Sequence, residues 1–265
     1  MTLAGRTVLL TGATGGLGAE MARALTARGA SLVLTGRRAD ALEAIAAETG
    51  GRPVQTDLAV LGAAEALARA AGPVDILIAN AALPASGAIT SFSVDEIDRA
   101  LMVNLRSPMV LGRLLGEAMA ARGSGHLVFV SSLSGKVASV GSSVYSATKF
   151  GLRGFALGLR EDLAPAGVGV SCVFPGFVRD AGMFADADVA EALPGYVGTN
   201  TAADVARGVL HAIEGDRAEV VVAPLPVRAG VLAATVAPGL AARVQRRLGS
   251  AAVSAALAER QRHKR

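Results

Sequence analysis

Side chains that form disulfides or bind metals are scarce in this chain of 265 residues. Cys172 is the only cysteine, so no disulfide can form within the chain. It lies in an apolar run, which favours a buried structural thiol over a reactive one. His126, His211 and His263 are scattered, and no group of His, Cys, Asp and Glu has the spacing of metal ligands. We therefore predict no metal site.

The sequence predicts neither a signal peptide nor a membrane-spanning segment. The N-terminus leads almost directly into a first strand, without the apolar core of a signal peptide. Near the other end, residues 229–242 carry no charge, but Pro238-Gly239 interrupts them and 14 residues are too few to span a bilayer. We expect a cytoplasmic protein.

Acidic residues are nearly absent from the C-terminal segment. Residues 226–265 contain eight basic residues and one acid, whereas the remainder has 18 basic and 21 acidic residues. The larger part of the chain therefore has no excess positive charge for binding nucleic acid. Leu240, Val244, Leu248 and Ala252 recur at every fourth position, which predicts a basic amphipathic helical extension over 226–265. This helix either packs on its own domain or on a neighbouring subunit, or lies on an anionic membrane.

Apolar, strand-like runs alternate with helical patterns along the first 225 residues. The predicted strands are residues 6–11, 31–35, 53–55, 75–79, 125–131, 167–174 and 218–223. The predicted helices are residues 16–28, 39–48, 61–70, 94–104, 107–122, 143–163 and 202–214. Strands that are apolar throughout are typical of a parallel sheet buried on both faces. The alternation predicts one Rossmann-like α/β domain over 1–225, a doubly wound seven-stranded parallel sheet with helices on both faces.

A glycine-rich turn follows the first predicted strand. Gly12, Thr14, Gly15, Gly16, Leu17 and Gly18 stand between that strand and a helix. Glycines permit a tight turn and close approach of the backbone to a pyrophosphate, and the N-terminus of a helix favours negative charge. We predict a dinucleotide site here. The alternative is a plain strand-to-helix turn.

Tyrosine and lysine are both rare, with two tyrosines and three lysines in the chain. Tyr145 and Lys149 stand four residues apart in a predicted helix, so their side chains emerge on one face. A nearby cation favours the phenolate and lowers a pKa that is ordinarily about 10. With the hydroxyl of Ser132, they form a candidate proton-transfer site for a carbonyl/alcohol pair. The same spacing also occurs by chance on many helices.

The glycine turn, Asn104, Ser132, Tyr145 and Lys149 together resemble the short-chain dehydrogenase/reductase family, over about residues 5–223. The resemblance implies hydride transfer between a nicotinamide and a carbonyl carbon. It implies that Tyr145 is the general acid/base, and that Lys149 lowers its pKa and bonds the nicotinamide ribose. It also implies that Ser132 orients the substrate oxygen and that Asn104 holds a water on a proton path.

Several alternatives to these assignments stay open. Ser131 could act in place of Ser132, although the spacing to Tyr145 favours Ser132. Asn104 could bond local backbone instead of a water. The glycine turn also fits the longer epimerases and dehydratases, but 265 residues leave little room for their extra substrate domain. A non-catalytic module that senses a dinucleotide is the remaining alternative.

Further candidate cofactor contacts lie at the carboxyl ends of the predicted strands, where such sheets bind ligands. They are Arg37, Arg38, Asp57, Leu58, Asn80, Ala81, Pro175, Gly176 and Val178, in addition to Tyr145 and Lys149. Two arginines stand where NAD-specific sites carry an acid, and arginines can bind a 2′-phosphate. We therefore predict NADP(H) in preference to NAD(H). Asp57 resembles the family's adenine-binding acid, or it caps the following helix.

Asp180 departs from the family pattern, which often has a threonine there that bonds the carboxamide. An ionised aspartate only accepts hydrogen bonds, so Asp180 could accept from the carboxamide amine or cap the next helix. The segment 181–200 offers Met183, Phe184, Leu193, Tyr196 and Val197 and no lysine or arginine. It predicts a lipophilic ketone or secondary alcohol as substrate. We also expect a homodimer or homotetramer.

Overall fold

The structure, a computed structural model, describes residues 1–186, 198–239, 243 and 259–261. The strands are β1 (Thr7–Thr11), β2 (Ser31–Gly36), β3 (Arg52–Gln55), β4 (Ile76–Ala79), β5 (Gly125–Val130), β6 (Val168–Pro175) and β7 (Glu219–Val222). The α-helices are α1 (Gly16–Thr26), α2 (Ala39–Thr49), α3 (Ala63–Ala71), α4 (Val94–Leu101), α5 (Ser107–Ala121), α6 (Ser143–Leu163), α7 (Gly182–Asp186), α8 (Ala202–Glu214) and α9 (Leu225–Val236). Short 3₁₀ turns cover Ile89–Ser91, Leu133–Gly135 and Ala164–Ala166.

All seven strands form one parallel sheet with the order β3-β2-β1-β4-β5-β6-β7. The predicted doubly wound seven-stranded sheet is therefore confirmed. The chain leaves β1 towards one edge of the sheet and returns beside β1 as β4. This reversal opens a crevice beyond the carboxyl ends of β1 and β4, where sheets of this kind bind ligands.

Helices cover both faces of the sheet because successive strand residues point to opposite faces. Val8 and Leu10 lie in one apolar core with α1, α2 and α8. Leu9 and Phe129 lie in a second core with α3, α5 and α6. All four side chains are fully buried, which explains why the strands read as continuous apolar runs.

His126 is buried inside the sheet, at the end opposite to that crevice. Its Nε2 lies 2.8 Å from Ser171 Oγ on the neighbouring strand. Burial lowers the pKa of His126 to about 4, although Asp216 acts in the opposite direction. The folded protein therefore keeps this imidazole neutral at a pH where the unfolded chain would protonate it.

We predict that the protein loses stability when the pH falls below about 6.5, the ordinary pKa of histidine. The unfolded chain binds the proton first, so the loss should reach about 2 kcal/mol between pH 7 and pH 5. His126→Gln should remove this dependence, whereas His211→Gln, at an exposed position of α8, should keep it. Urea unfolding at several pH values measures the effect. Equal pH dependence in the wild type and His126→Gln would contradict the prediction.

The C-terminal extension is only partly described. Helix α9 begins at Leu225, at the predicted domain boundary, and ends before Pro238. Leu240, Val244, Leu248 and Ala252, on which the prediction of an amphipathic helix depends, lie outside the described residues. Among the residues that are described, no helix is long and apolar enough to cross a membrane.

Candidate active site

The turn after β1 requires glycine at two positions. Gly12 has a φ of +70°, and a Cβ there would lie 2.9 Å from Ala81 Cα. A Cβ at Gly18 would lie 2.1 Å from the carbonyl oxygen of Gly12. Gly15 precedes α1 as its N-cap and provides no side-chain cap. The first N–H groups of α1 therefore meet no capping side chain, which is how helix N-termini accept anions.

Thr11 joins the turn to the segment after β4. Its Oγ1 accepts hydrogen bonds from the backbone N–H groups of Asn80 and Ala81, each at 3.0 Å. The Asn80 amide donates to the carbonyl oxygens of Thr11, at 3.0 Å, and Gly12, at 3.3 Å. Sequence reasoning assigned Thr11 no role of its own, although a hydroxyl at the end of the first strand was a usable signal.

The two arginines after β2 lie beside the glycine turn. Arg38 Nη2 donates to the carbonyl oxygen of Thr14 at 2.5 Å, and a Cβ at Gly36 would lie 2.6 Å from Thr14 Cγ2. Arg37 and Arg38 are both exposed. The Arg38 guanidinium thus reaches back over the glycine turn.

Asp57 forms a local turn and does not cap the next helix. Its Oδ1 accepts from the backbone N–H of Ala59 at 3.0 Å. Helix α3 begins only at Ala63, and its N-cap is Gly62. The alternative of a helix cap is therefore wrong. Leu58 is buried, and its carbonyl oxygen accepts from Ser107 Oγ at 2.9 Å.

Ser132, Tyr145 and Lys149 come together at the carboxyl end of β5. Ser132 follows that strand, and its hydroxyl lies near enough to the Tyr145 phenol to lower the pKa of that phenol. Lys149 lies one turn further along α6, with its Nζ 5.6 Å from the centre of the Tyr145 ring. The Lys149 ammonium is 2% exposed and donates to the carbonyl oxygen of Val130 at 3.0 Å.

Burial dominates the acid–base properties of the pair. It raises the pKa of Tyr145 to about 12, against the lowering effect of the hydrogen bond with Ser132. It lowers the pKa of Lys149 to about 8. The expectation that Lys149 lowers the pKa of Tyr145 is not met here, because the phenol is desolvated and the ammonium is directed at a backbone carbonyl. The phenol is thus protonated at neutral pH.

The neighbouring serines have different contacts. Ser131 Oγ is buried and donates to the carbonyl oxygen of Lys149 at 3.1 Å. Ser132 Oγ accepts from the backbone N–H of Ser134 at 3.1 Å and faces Tyr145. These contacts favour Ser132 as the residue beside the phenol and give Ser131 a packing role.

Asn104 is fully buried in a π-helical turn, Met102–Arg106, that joins α4 to α5. Its Oδ1 accepts from the backbone N–H of Leu83 at 2.7 Å, and its Nδ2 donates to the carbonyl oxygen of Leu83 at 2.9 Å. The amide therefore bonds backbone that is distant in sequence and holds the segment after β4 against the helices. Widened turns of this kind occur often at functional sites.

The segment after β6 returns towards the glycine turn. Pro175 is the last residue of β6, and Gly176 N donates to the carbonyl oxygen of Val222 at 2.9 Å. Val178 is buried, and a Cβ at Gly16 would lie 2.7 Å from Ala181 Cβ. The loops after β1 and β6 are thus in direct contact across the crevice.

Asp180 caps α8. Its Oδ1 accepts from the backbone N–H of Ala202, the first residue of that helix, at 2.8 Å. Of the two expectations for Asp180, the geometry favours a cap, although on α8 and not on the intervening α7. A carboxylate at a helix N-terminus is stabilised by the helix dipole.

Phe184, in the segment 181–200 that was expected to cover the substrate, contacts a ring that lies just before that segment. Phe177 and Phe184 lie with their ring centres 5.1 Å apart. Leu193, Tyr196 and Val197 lie outside the described residues. Gln261, near the C-terminus, is 2% exposed and donates to the carbonyl oxygen of Met183 at 2.5 Å. Sequence reasoning missed this contact, because nothing in the tail predicts a return to α7.

Across the part of the chain that the structure describes, no group of three or more His, Cys, Asp or Glu could hold a metal ion. Cys172 is buried in β6, as expected, and burial raises the pKa of its thiol to about 12. The polar groups at the crevice include the hydroxyls of Ser132 and Tyr145, the side chains of Lys149 and Arg38, and backbone amides.

Comparison with known families agrees with this arrangement. The family model for short chain dehydrogenases matches residues 6–192. The chain belongs to the short-chain dehydrogenase/reductase family. It is an oxidoreductase that acts on CH–OH/C=O groups. This class, and not the epimerases or dehydratases, is what the match supports.

Relatives within the short-chain dehydrogenase/reductase family cover most of the chain. The ketoacyl reductase HetN of Nostoc is 38% identical over 236 residues, which cover 85% of this chain and 81% of that protein. A short-chain dehydrogenase from Sphingobium yanoikuyae in complex with NADPH is 27% identical, with a TM-score of 0.75 over 82% of this chain and 87% of that one. The bulky-bulky ketone specific alcohol dehydrogenase from Comamonas testosteroni is 26% identical, with a TM-score of 0.72 over 82% and 85% of the two chains.

Proposed function

We propose that the protein is an NADP(H)-dependent oxidoreductase that interconverts a lipophilic ketone and its secondary alcohol. The observation that carries the proposal is the proximity of the Ser132 hydroxyl to the Tyr145 phenol, beside buried Lys149 and at the sheet edge that holds the glycine turn. Proton transfer to an oxygen requires a donor within hydrogen-bond reach of it. A carbonyl oxygen that meets both hydroxyls satisfies this condition.

Each residue then has a defined task in reduction. Ser132 donates a hydrogen bond to the carbonyl oxygen and orients it. Tyr145, protonated at neutral pH, gives its proton to that oxygen as negative charge develops there. Lys149, whose Nζ bonds the carbonyl oxygen of Val130, would bind the nicotinamide ribose. Asn104 fixes the Leu83 segment, and the π-helical turn around it is where we place the water of the proton path.

The glycine turn suits a dinucleotide. NADPH, when bound, would supply the hydride. Gly12 and Gly18 leave room that a Cβ would fill, and the N-terminus of α1 offers N–H groups to a pyrophosphate. Arg38 lies over the turn, and we assign Arg38 and the neighbouring Arg37 to a 2′-phosphate. The NADPH complex of the Sphingobium relative supports this choice.

The remaining cofactor contacts are proposed from position alone. Asp57 would hold the adenine, with Leu58 beside it. Asn80 and Ala81 would pass beside the ribose. Pro175, Gly176 and Val178 would line the nicotinamide end, where Asp180 is occupied by its cap of α8.

Apolar side chains at the start of the segment 181–200 favour an apolar substrate. Phe184 of that segment contacts Phe177, which precedes the segment, and Met183 lies between them in sequence. The Comamonas relative is named for bulky ketones and the Nostoc relative for ketoacyl groups, which supports a large carbonyl compound. The substrate class we propose is therefore a ketone flanked by apolar groups.

A panel of carbonyl compounds tests the function. Ketones of increasing apolar size, with small aldehydes and charged keto acids as comparison, are mixed with the protein and NADPH, and NADPH absorbance is followed. We expect turnover that rises with the apolar size of the ketone. Absence of carbonyl-dependent NADPH oxidation across the panel would contradict the proposal and favour a dinucleotide-sensing module.

We propose further that the protein forms a homodimer or homotetramer through α4, α5 and α6. These helices border a groove of about 630 Å³ whose lining includes Leu105, Met109, Val110 and Phe155. Large exposed apolar surfaces of this kind mark interfaces. Met109→Arg is expected to shift the protein to monomers in sedimentation velocity, whereas Val60→Arg, at an exposed residue outside the groove, should not. An unchanged assembly in Met109→Arg would contradict this interface.

We propose that the C-terminal segment 226–265, which includes nearly all of α9, contacts anionic membranes. Leu225, Leu232 and Val236 of α9 are 75%, 69% and 80% exposed and share one helix face. The basic residues that follow would attract anionic lipid. The protein should therefore co-sediment with vesicles that contain phosphatidylserine, and less so at high salt. Leu232→Glu should weaken the binding and Leu61→Glu, equally exposed elsewhere, should not. Failure of the full chain to bind such vesicles would end the proposal and leave packing on its own domain or on a neighbouring subunit.

A further inference from the structure

One carboxylate on the edge strand binds two cations from the active-site segments. Glu219, the first residue of β7, accepts from Lys136 Nζ at 2.6 Å through its Oε2. It accepts from Arg153 Nε at 2.6 Å through its Oε1. Glu219 thus joins the segment after β5 and helix α6 to β7.

Both cations stand four residues after a residue of the proposed site. Lys136 follows Ser132, from which it is separated by the 3₁₀ turn Leu133–Gly135. Arg153 follows Lys149 on α6, so it lies one turn further along the same face. One short turn therefore separates each of these site residues from a cation that bonds the Glu219 carboxylate.

The two segments pack so closely that a small shift would disturb both. A Cβ at Gly135 would lie 2.4 Å from Ser131 Oγ and 2.7 Å from the carbonyl oxygen of Lys149. The hydroxyl of Ser132 must meet the Tyr145 phenol across this contact. A carboxylate that holds both segments limits how far they slide past each other.

The two ion pairs are largely shielded from water, and both cations lie over the ring of one buried phenylalanine. The Lys136 side chain is 10% exposed, and its Nζ lies 4.3 Å from the centre of the Phe174 ring. Arg153 also faces this ring. Burial opposes ionisation of Glu219, but hydrogen bonds from Arg153 and Lys136 outweigh it and hold the pKa of Glu219 below its ordinary value. Such pairs are worth more than exposed ones, and removal of one partner costs more.

We propose that Glu219 is a positioning residue that, through Lys136 and Arg153, holds the Ser132 hydroxyl against the Tyr145 phenol. This inference rests on the proposed function, because it assigns Glu219 a part in the same proton transfer. Glu219 itself contacts neither hydroxyl. Its effect on the reaction passes through the two cations and the turns that follow Ser132 and Lys149.

The variant Glu219→Gln keeps the size of the side chain and removes its charge. We expect kcat for ketone reduction to fall about tenfold, the value of one well-placed hydrogen bond in the transition state. The KM for NADPH should stay within about twofold, because the glycine turn lies across the crevice.

Two further variants separate positioning from stability. Lys136→Met keeps the contact with Phe174 and should repeat part of the loss, and the double variant with Glu219→Gln should cost less than the two single losses together. Asp216→Asn weakens a different, more exposed ion pair, with Arg160 at 2.7 Å, and should leave kcat unchanged. Rates are compared below the unfolding temperature of each variant. If Glu219→Gln does not fold, Lys136→Met serves as the test variant.

The outcomes distinguish the two proposals. If the wild type reduces ketones, Ser132→Ala is slow, and Glu219→Gln and Lys136→Met match the wild type in kcat, the positioning role is overturned and the function stands. If Ser132→Ala matches the wild type, the proposed mechanism fails and the positioning role fails with it. A lower kcat in Glu219→Gln with a KM for NADPH within about twofold of the wild type supports both.

Discussion

Replacing Tyr145 by phenylalanine is expected to reduce kcat/KM for ketone reduction by at least about 10²–10⁴-fold at neutral pH. The substitution removes one oxygen and keeps the ring, which packs against the buried cluster of Ala85, Ala100 and Val144. The carbonyl oxygen then loses its proton donor, while the hydride source is unchanged. The measurement is NADPH oxidation with the best ketone of the panel, in parallel with NADPH binding by fluorescence.

The binding measurement separates lost chemistry from lost folding. Tyr145→Phe should bind NADPH within a few-fold of the wild type. Ser131→Ala is a suitable control, because that hydroxyl bonds the carbonyl oxygen of Lys149 and not the phenol. Tyr145→Phe with turnover within tenfold of the wild type would remove Tyr145 from the mechanism.

The second large effect is expected for Arg38→Asp. A hydrogen bond to a charged group contributes about 1.5–3 kcal/mol, so loss of the arginine should lower affinity for NADPH about 10- to 100-fold. The new carboxylate repels the 2′-phosphate and can accept from the ribose hydroxyls of NADH, which NAD-specific sites use an acid to bind. The ratio of NADPH to NADH dissociation constants should therefore reverse.

Neighbouring arginines provide the comparison for Arg38→Asp. Arg37→Asp should act in the same direction, because Arg37 precedes Arg38 at the end of β2. Arg28→Asp should leave the ratio unchanged, because Arg28 pairs with Glu214 away from the crevice. Equal affinity of the wild type for NADH and NADPH, or an unchanged ratio in Arg38→Asp, would overturn the preference for NADP(H).

The fold was predictable because its signals are local. Each strand is a short apolar run, and the glycine turn needs glycine for steric reasons that involve its own neighbours, such as Gly18 against Gly12. Parallel order then places the ends of all strands at one edge. Ser132, Tyr145 and Lys149 meet there because their segments follow β5 and form α6, which the sequence pattern also predicted.

Other features depended on contacts between distant segments. Asn104 looks like a helix breaker in sequence, but its amide bonds Leu83 and its helix continues through a π turn. Asp180 caps α8 across 22 residues. The raised pKa of Tyr145 follows from burial, which spacing along a helix does not reveal. Glu219 carried no motif, because its role depends on cations from two other elements.

The most direct test of the central claim uses NADPH that carries deuterium at nicotinamide C4. The test asks whether this deuterium is transferred to the product alcohol. Each isotopic face is tried separately with the best ketone of the panel, and the product is analysed by mass spectrometry and NMR. Hydride transfer at the Ser132–Tyr145 site predicts one deuterium on the carbinol carbon from one of the two labelled faces. Product alcohol without deuterium on that carbon from either face would contradict it.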